Sequence, residues 1–126
     1  MIREAFVSFD TAKLLKEKGL PQDLDIDTFY DKSGNLQFIQ CAWTLQEDID
    51  KQTEAIAPTQ ALAMRWIREE FNFHITVDCI DSLEHEYVFS VNVVDMKTFR
   101  EYLLDTENTY EIGCEEGIKY VLEKLI

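Results

Sequence analysis

Two runs decide the fold: Phe73-His74-Ile75-Thr76-Val77-Asp78-Cys79 and Tyr87-Val88-Phe89-Ser90-Val91-Asn92-Val93-Val94. In the first, Phe73, Ile75, Val77 and Cys79 alternate with His74, Thr76 and Asp78. In the second, Tyr87, Phe89, Val91 and Val93 alternate with Val88, Ser90, Asn92 and Val94. A period of two is the pattern of a strand with one buried and one wet face, because successive side chains leave opposite sides of a pleated backbone. The connection from Asp81 to His85 is short, so the runs read as an antiparallel hairpin.

Upstream of the hairpin the period changes to that of a helix. Thr59 follows Pro58 as a cap, and the helix body runs from Gln60 to about Phe71. Leu62, Ala63, Trp66, Ile67, Glu70 and Phe71 form its inward stripe, with Gln60, Arg65, Arg68 and Glu69 opposite. Downstream, Asp95 is placed to cap a short helix over Met96 to Leu104 with Phe99 and Leu103 inward. Asn108 and Glu111 stand in capping-box relation at the start of a last helix, whose inward positions are Cys114, Ile118, Val121, Leu122 and Leu125.

Towards the N-terminus, Ser8 caps a helix from about Phe9 to Lys18, stopped by Gly19 and Pro21. Asp23, Asp25 and Asp27 alternate in the loop that follows. Thr28 to Trp43 reads as a second hairpin about the turn Asp31 to Asn35, where Gly34 and Asn35 tolerate positive φ. Thr44 to Ala57 reads as an acidic loop, with one helical turn around Glu47 to Lys51. The expected architecture is one α+β domain over residues 1–126, with the two hairpins joined in an antiparallel sheet of about four strands. The Gln60 to Phe71 helix and the C-terminal helix are expected to lie across one face of it.

Composition narrows the function. Among 126 residues, 12 Lys and Arg stand against 25 Asp and Glu, a net charge of −13. With 46% hydrophobic and 12% aromatic residues the chain is too apolar for a disordered acidic tail. Its charge opposes direct nucleic-acid binding and attraction to an anionic membrane. Cys41, Cys79 and Cys114 are an odd number set far apart, which indicates reduced thiols. With neither a signal-peptide pattern nor a membrane-length apolar run, the expected location is cytoplasmic.

No residue set carries a catalytic, cofactor or metal motif. Gly19, Gly34, Gly113 and Gly117 are too scattered for a phosphate loop. His74 and Cys79 fall on opposite faces of one strand, and with His85 they assemble no metal site; His74 reads as solvated beside Asp78, His85 as a turn residue and the cysteines as small core residues. Cys114, in the first turns of a helix, is the candidate nucleophile, but Glu111, Glu115 and Glu116 favour its neutral thiol and its register points inward. Glu70 is the carboxylate expected to be partly buried.

The run "FVSFDTAKLLKEKGL", then "APTQALAMRWIREEFNFHITV", then "TYEIGCEEGIKYVLEKLI", resembles a family of small uncharacterised proteins encoded by bacteriophages, prophages and other mobile elements, especially of Bacteroides and related gut bacteria. After Gly19 the chain departs from that pattern, with Leu20-Pro21 and an aspartate-rich loop where a Pro-Cys pair is usual. The resemblance implies a mobile-element setting and action by binding a protein partner, without enzymatic activity. Arg65, Arg68 and Tyr110 are the candidate partner contacts. A homodimer through a sheet edge or the C-terminal helix fits the same reading. The alternatives are an acidic DNA-mimic inhibitor of a host nuclease or nucleic-acid-binding protein, and a small enzyme with no definable site.

Overall fold

The computed structural model describes residues 4–39, 46–81, 84 and 86–126. Cys41, Trp43, His85, the distal end of the first hairpin and the start of the acidic loop lie outside the described residues. The elements in chain order are α1 (Phe9–Glu17), β1 (Thr28–Asp31), β2 (Leu36–Phe38), α2 (Gln46–Gln52), β3 (Thr53–Ile56), α3 (Gln60–Phe71), β4 (Phe73–Asp81), β5 (Tyr87–Asp95), β6 (Glu101–Leu103) and α4 (Tyr110–Tyr120), which continues into a π-helical segment, Val121–Leu125.

The class is α+β, but among the described residues the strands form two antiparallel sheets of three strands, ordered β2-β1-β3 and β4-β5-β6, where one sheet of about four strands was expected. Each hairpin gains a strand of its own. β3 comes from the stretch read as an acidic loop, and β6 from the stretch read as a helix.

Local chemistry sets the element ends. Ser8 Oγ accepts from Thr11 N at 3.3 Å to start α1, and Gly19 beyond its end has φ 106°. Thr59 caps α3 through Leu62 N at 3.2 Å. Asn72, at φ 61°, ends α3 in the left-handed region, which asparagine tolerates better than most residues, and leads straight into β4. In the first hairpin, Asp31 Oδ1 accepts from Ser33 N at 2.9 Å and Asn35 N at 3.0 Å. The last helix is capped by Thr109, one residue later than expected, with Ile112 N donating to its hydroxyl at 3.1 Å.

The core is shared by both halves: Ala12, Leu15, Ala55, Ile56, Ala63, Ile67, Ile75, Val93, Ile118 and Leu122 belong to one buried cluster. α1 packs against β3, and α4 packs against β4 and β5. The approach of α4 is close because Gly113 and Gly117 face the sheet. A Cβ at Gly113 would stand 2.8 Å from Val77 Cγ1, and one at Gly117 would stand 2.6 Å from Ile75 Cγ2.

β4 and β5 pair in unbroken register from Phe73 with Asp95 to Asp81 with Tyr87. Their inner face is as the alternation indicates, with Ile75, Val91 and Val93 buried. Cys79 shares that face but is exposed. The packing helix meets β4 at Val77 through Gly113, and its first residue, Tyr110, packs on Phe89 of β5, so the far end of β4 outruns its cover.

Candidate functional site: an apolar hairpin tip and an acidic groove

The segment after β5 differs most from the sequence expectation. Asp95 does act as a cap, accepting on Oδ1 from Lys97 N at 2.9 Å and from Thr98 N at 3.4 Å. That turn does not continue as a helix. Phe99 N donates to the Asp95 carbonyl at 2.7 Å, Asp95 N donates to the Arg100 carbonyl at 2.9 Å, and the chain returns as β6, with Val94 opposite Glu101 and Asn92 opposite Leu103. Phe99 and Leu103, expected inward, are 80% and 78% exposed.

Phe99 is doubly unusual. Its φ of 63° places it in the left-handed region, where hairpin turns favour Gly or Asn, and a Cβ-bearing residue pays roughly 1–2 kcal/mol there. Its ring nevertheless projects into solvent. Neither turn chemistry nor core packing calls for phenylalanine here. Met96, in the same turn, is also exposed, and the Arg100 guanidinium lies 4.9 Å from the centre of the Tyr102 ring, which stiffens the base of the tip.

A groove of about 810 Å³ lies on the other half of the chain, beside β1 and β3. Ile26, Phe29 and Ile56 are among its lining, as are Asp23, Asp25 and Asp27. These are the alternating aspartates of the sequence, and all three are exposed. A smaller groove of about 370 Å³ between β6 and α4 is lined by both signs of charge, including Glu116, Lys119 and Lys124. Glu70, His74 and Cys114 line neither.

The remaining sequence candidates are dispersed. Arg65 is exposed and pairs with Glu69 at 3.0 Å, one helical turn away. Arg68 is half-buried near the end of α3, where its carbonyl accepts from Asn72 N. Tyr110, 46% exposed, packs edge-on against Phe89 with ring centres 6.3 Å apart. The first turns of α3 and α4 meet where Gln60 Nε2 donates to the Glu111 carbonyl at 2.9 Å. Among the described residues no hydrogen bond, ion pair or ring contact joins Tyr110 to either arginine.

Glu70 is exposed, contrary to expectation. It sits one turn beyond buried Ile67, on the last turn of α3. Cys114 is fully buried, and burial pushes its thiol above the ordinary range; the Tyr110 hydroxyl opposes this, while Glu111 and Glu115 add to it. The arrangement keeps the sulfur protonated and shielded. Among the described residues no three His, Cys, Asp or Glu side chains are grouped to hold a metal ion. No described helix is long and apolar enough to cross a membrane.

The chain matches no protein-family model, no curated protein and no solved structure. Phe99 was missed because the helix reading placed it inward. The available signal was the tetrad Asp95-Met96-Lys97-Thr98, whose Asp favours a single side-chain-capped turn as readily as a helix start.

Proposed function

We propose that this chain is a non-enzymatic accessory protein of a phage or other mobile element, acting in the cytoplasm by binding another protein through the tip of the β5–β6 hairpin. The observation that carries the reading is Phe99: an aromatic ring held 80% exposed on a backbone conformation that costs free energy. Local strain at a surface position with no packing return is a feature of binding sites. Aromatic side chains are enriched among the residues that dominate protein interfaces. Met96 in the same turn and Leu103 further along β6 are exposed as well, and the Asp95 cap fixes the direction of the turn. Pre-set geometry lowers the ordering cost of binding.

Tyr110 and Arg65 lie on other parts of the surface and are secondary contacts in this reading. The test is a photo-crosslinking residue placed at position 99, with a second at Glu69 as control, expressed in the organism that encodes the chain. A defined protein adduct from position 99 and none from position 69 is expected. Equal labelling from both positions, or none from position 99, would refute the assignment.

A further inference from the structure

We propose that the groove beside β1 and β3 binds a basic, apolar peptide segment of a second protein. This is a separate surface from the hairpin tip, and the two readings stand or fall independently. Four observations converge on it. The floor is apolar, with Phe29 and Ile56 nearly buried and Ile26 half-buried. The lining carries Asp23, Asp25, Asp27 and Asp50, and among the described residues no Lys or Arg lines it. Among the described residues no ion pair engages Asp23, Asp25 or Asp27. At about 810 Å³ the groove falls within the roughly 300–1,000 Å³ of established ligand sites.

Charge selects the occupant. An apolar floor under uncompensated carboxylates favours a ligand with both apolar and cationic side chains, and the net charge of −13 draws such a ligand from a distance. A metal ion is the poorer fit, since the carboxylates do not converge on a common point. A second copy of the chain is poorer too. Its own apolar projection, the hairpin tip, sets Asp95 and Glu101 against Lys97 and Arg100 and so brings no net positive charge.

The probe is a short fluorescein-labelled peptide of alternating leucine and lysine, titrated by fluorescence anisotropy against the full chain. Saturable binding is expected, weakened about tenfold by the triple substitution D23N/D25N/D27N, since each partly screened ion pair contributes up to about 1 kcal/mol. A control triple, E101Q/D105N/E123Q, removes the same charge elsewhere and is expected to leave binding within about twofold, which is under half of the 1.4 kcal/mol that a tenfold change represents. A peptide with serine for leucine is expected to lose saturation, because it leaves the apolar floor uncovered. All the substituted aspartates are exposed, and unchanged thermal unfolding of both triples confirms that the comparison reads binding.

Equal weakening by both triples would overturn the proposal in favour of diffuse attraction between opposite charges. Retained binding of the serine peptide would overturn it as well. Sedimentation showing self-association that D23N/D25N/D27N abolishes would assign the groove to a second copy instead. None of these results bears on crosslinking from position 99.

Discussion

Replacing Gly117 with alanine tests the packing that places the second sheet. The added Cβ would stand 2.6 Å from Ile75 Cγ2 and 3.3 Å from Val91 Cγ1. Carbon atoms in contact sit about 3.5–4.0 Å apart, so the Ile75 methyl must retreat by about 1 Å. Ile75 is 8% exposed and Val91 is fully buried, which leaves little room to yield. Two effects then oppose each other. Alanine gains about 0.8–1.0 kcal/mol over glycine in a helix interior. Forcing a methyl into a packed core costs about 1–3 kcal/mol. With both neighbours buried the clash falls in the upper part of that range, about 2–3 kcal/mol, and outweighs the helix gain by about 1–2 kcal/mol.

The assay is urea unfolding followed by far-ultraviolet circular dichroism, with wild type, Gly117→Ala, Ile75→Ala and the double variant. Ile75→Ala alone costs about 2–5 kcal/mol by opening a cavity. The Gly117→Ala methyl fills part of that space, so the double variant is expected to be more stable than the sum of the singles by about 1 kcal/mol. A Gly117→Ala variant as stable as wild type, with additive effects in the cycle, would refute the close approach of α4 to β4 and β5.

Two further outcomes follow from the electrostatics and burial. Asp31 is held below its ordinary value of 3.8 chiefly by the Asn35 amide, and Asp95 chiefly by the Lys97 amide. Because the folded values are depressed, their contribution to stability is present above the unfolded value and is lost as pH falls below it, through the lower folded values. D31N/D95N is therefore expected to flatten the loss of melting temperature on acidification below 3.8, whereas an unchanged acid limb would contradict the role of these turns. In a Cys41→Ser background, Cys79 is exposed and Cys114 is buried with a raised thiol, so a thiol reagent at neutral pH is expected to modify one cysteine quickly and the other only on unfolding. Rapid modification of both would contradict the described packing of α4.

The parts of the fold legible in the sequence are those governed by local chemistry. The caps at Ser8 and Thr59, the positive φ of Gly19 and Gly34, and the alternation of β4 with β5 each depend on neighbours a few residues away. β3 and β6 depend on distant partners. β3 is four residues long and takes its place from β1, with Tyr30 opposite Ala55. β6 pairs with β5 after a turn whose Asp cap and apolar spacing match a helix start equally well. Cys79 shows a different limit: alternation tells which face a residue shares, and the extent of the covering helix decides whether that face is buried. Glu70 shows the same limit at a helix end.

The candidate site was less legible than the fold. The Asp23, Asp25 and Asp27 spacing was visible in the chain, but the apolar floor beside it comes from β1 and β3 residues brought together by tertiary pairing. Phe99 was hidden by the helix reading. Arg65 and Arg68 read as exposed cations from the helix period, but Arg68 is half-buried, and the i,i+4 spacing to Glu69 that pairs Arg65 is itself readable from the sequence.

The proposed binding surface centres on Phe99, and Phe99→Asn tests it in one paired measurement of stability and partner retention. Asparagine tolerates the left-handed conformation, so removal of phenylalanine is expected to leave thermal stability unchanged or to raise it by about 0.5–1 kcal/mol. Affinity purification with the same variant is expected to lose the protein that wild type retains. A variant that is both less stable and still bound to that protein would make Phe99 a structural residue and contradict the proposed binding surface.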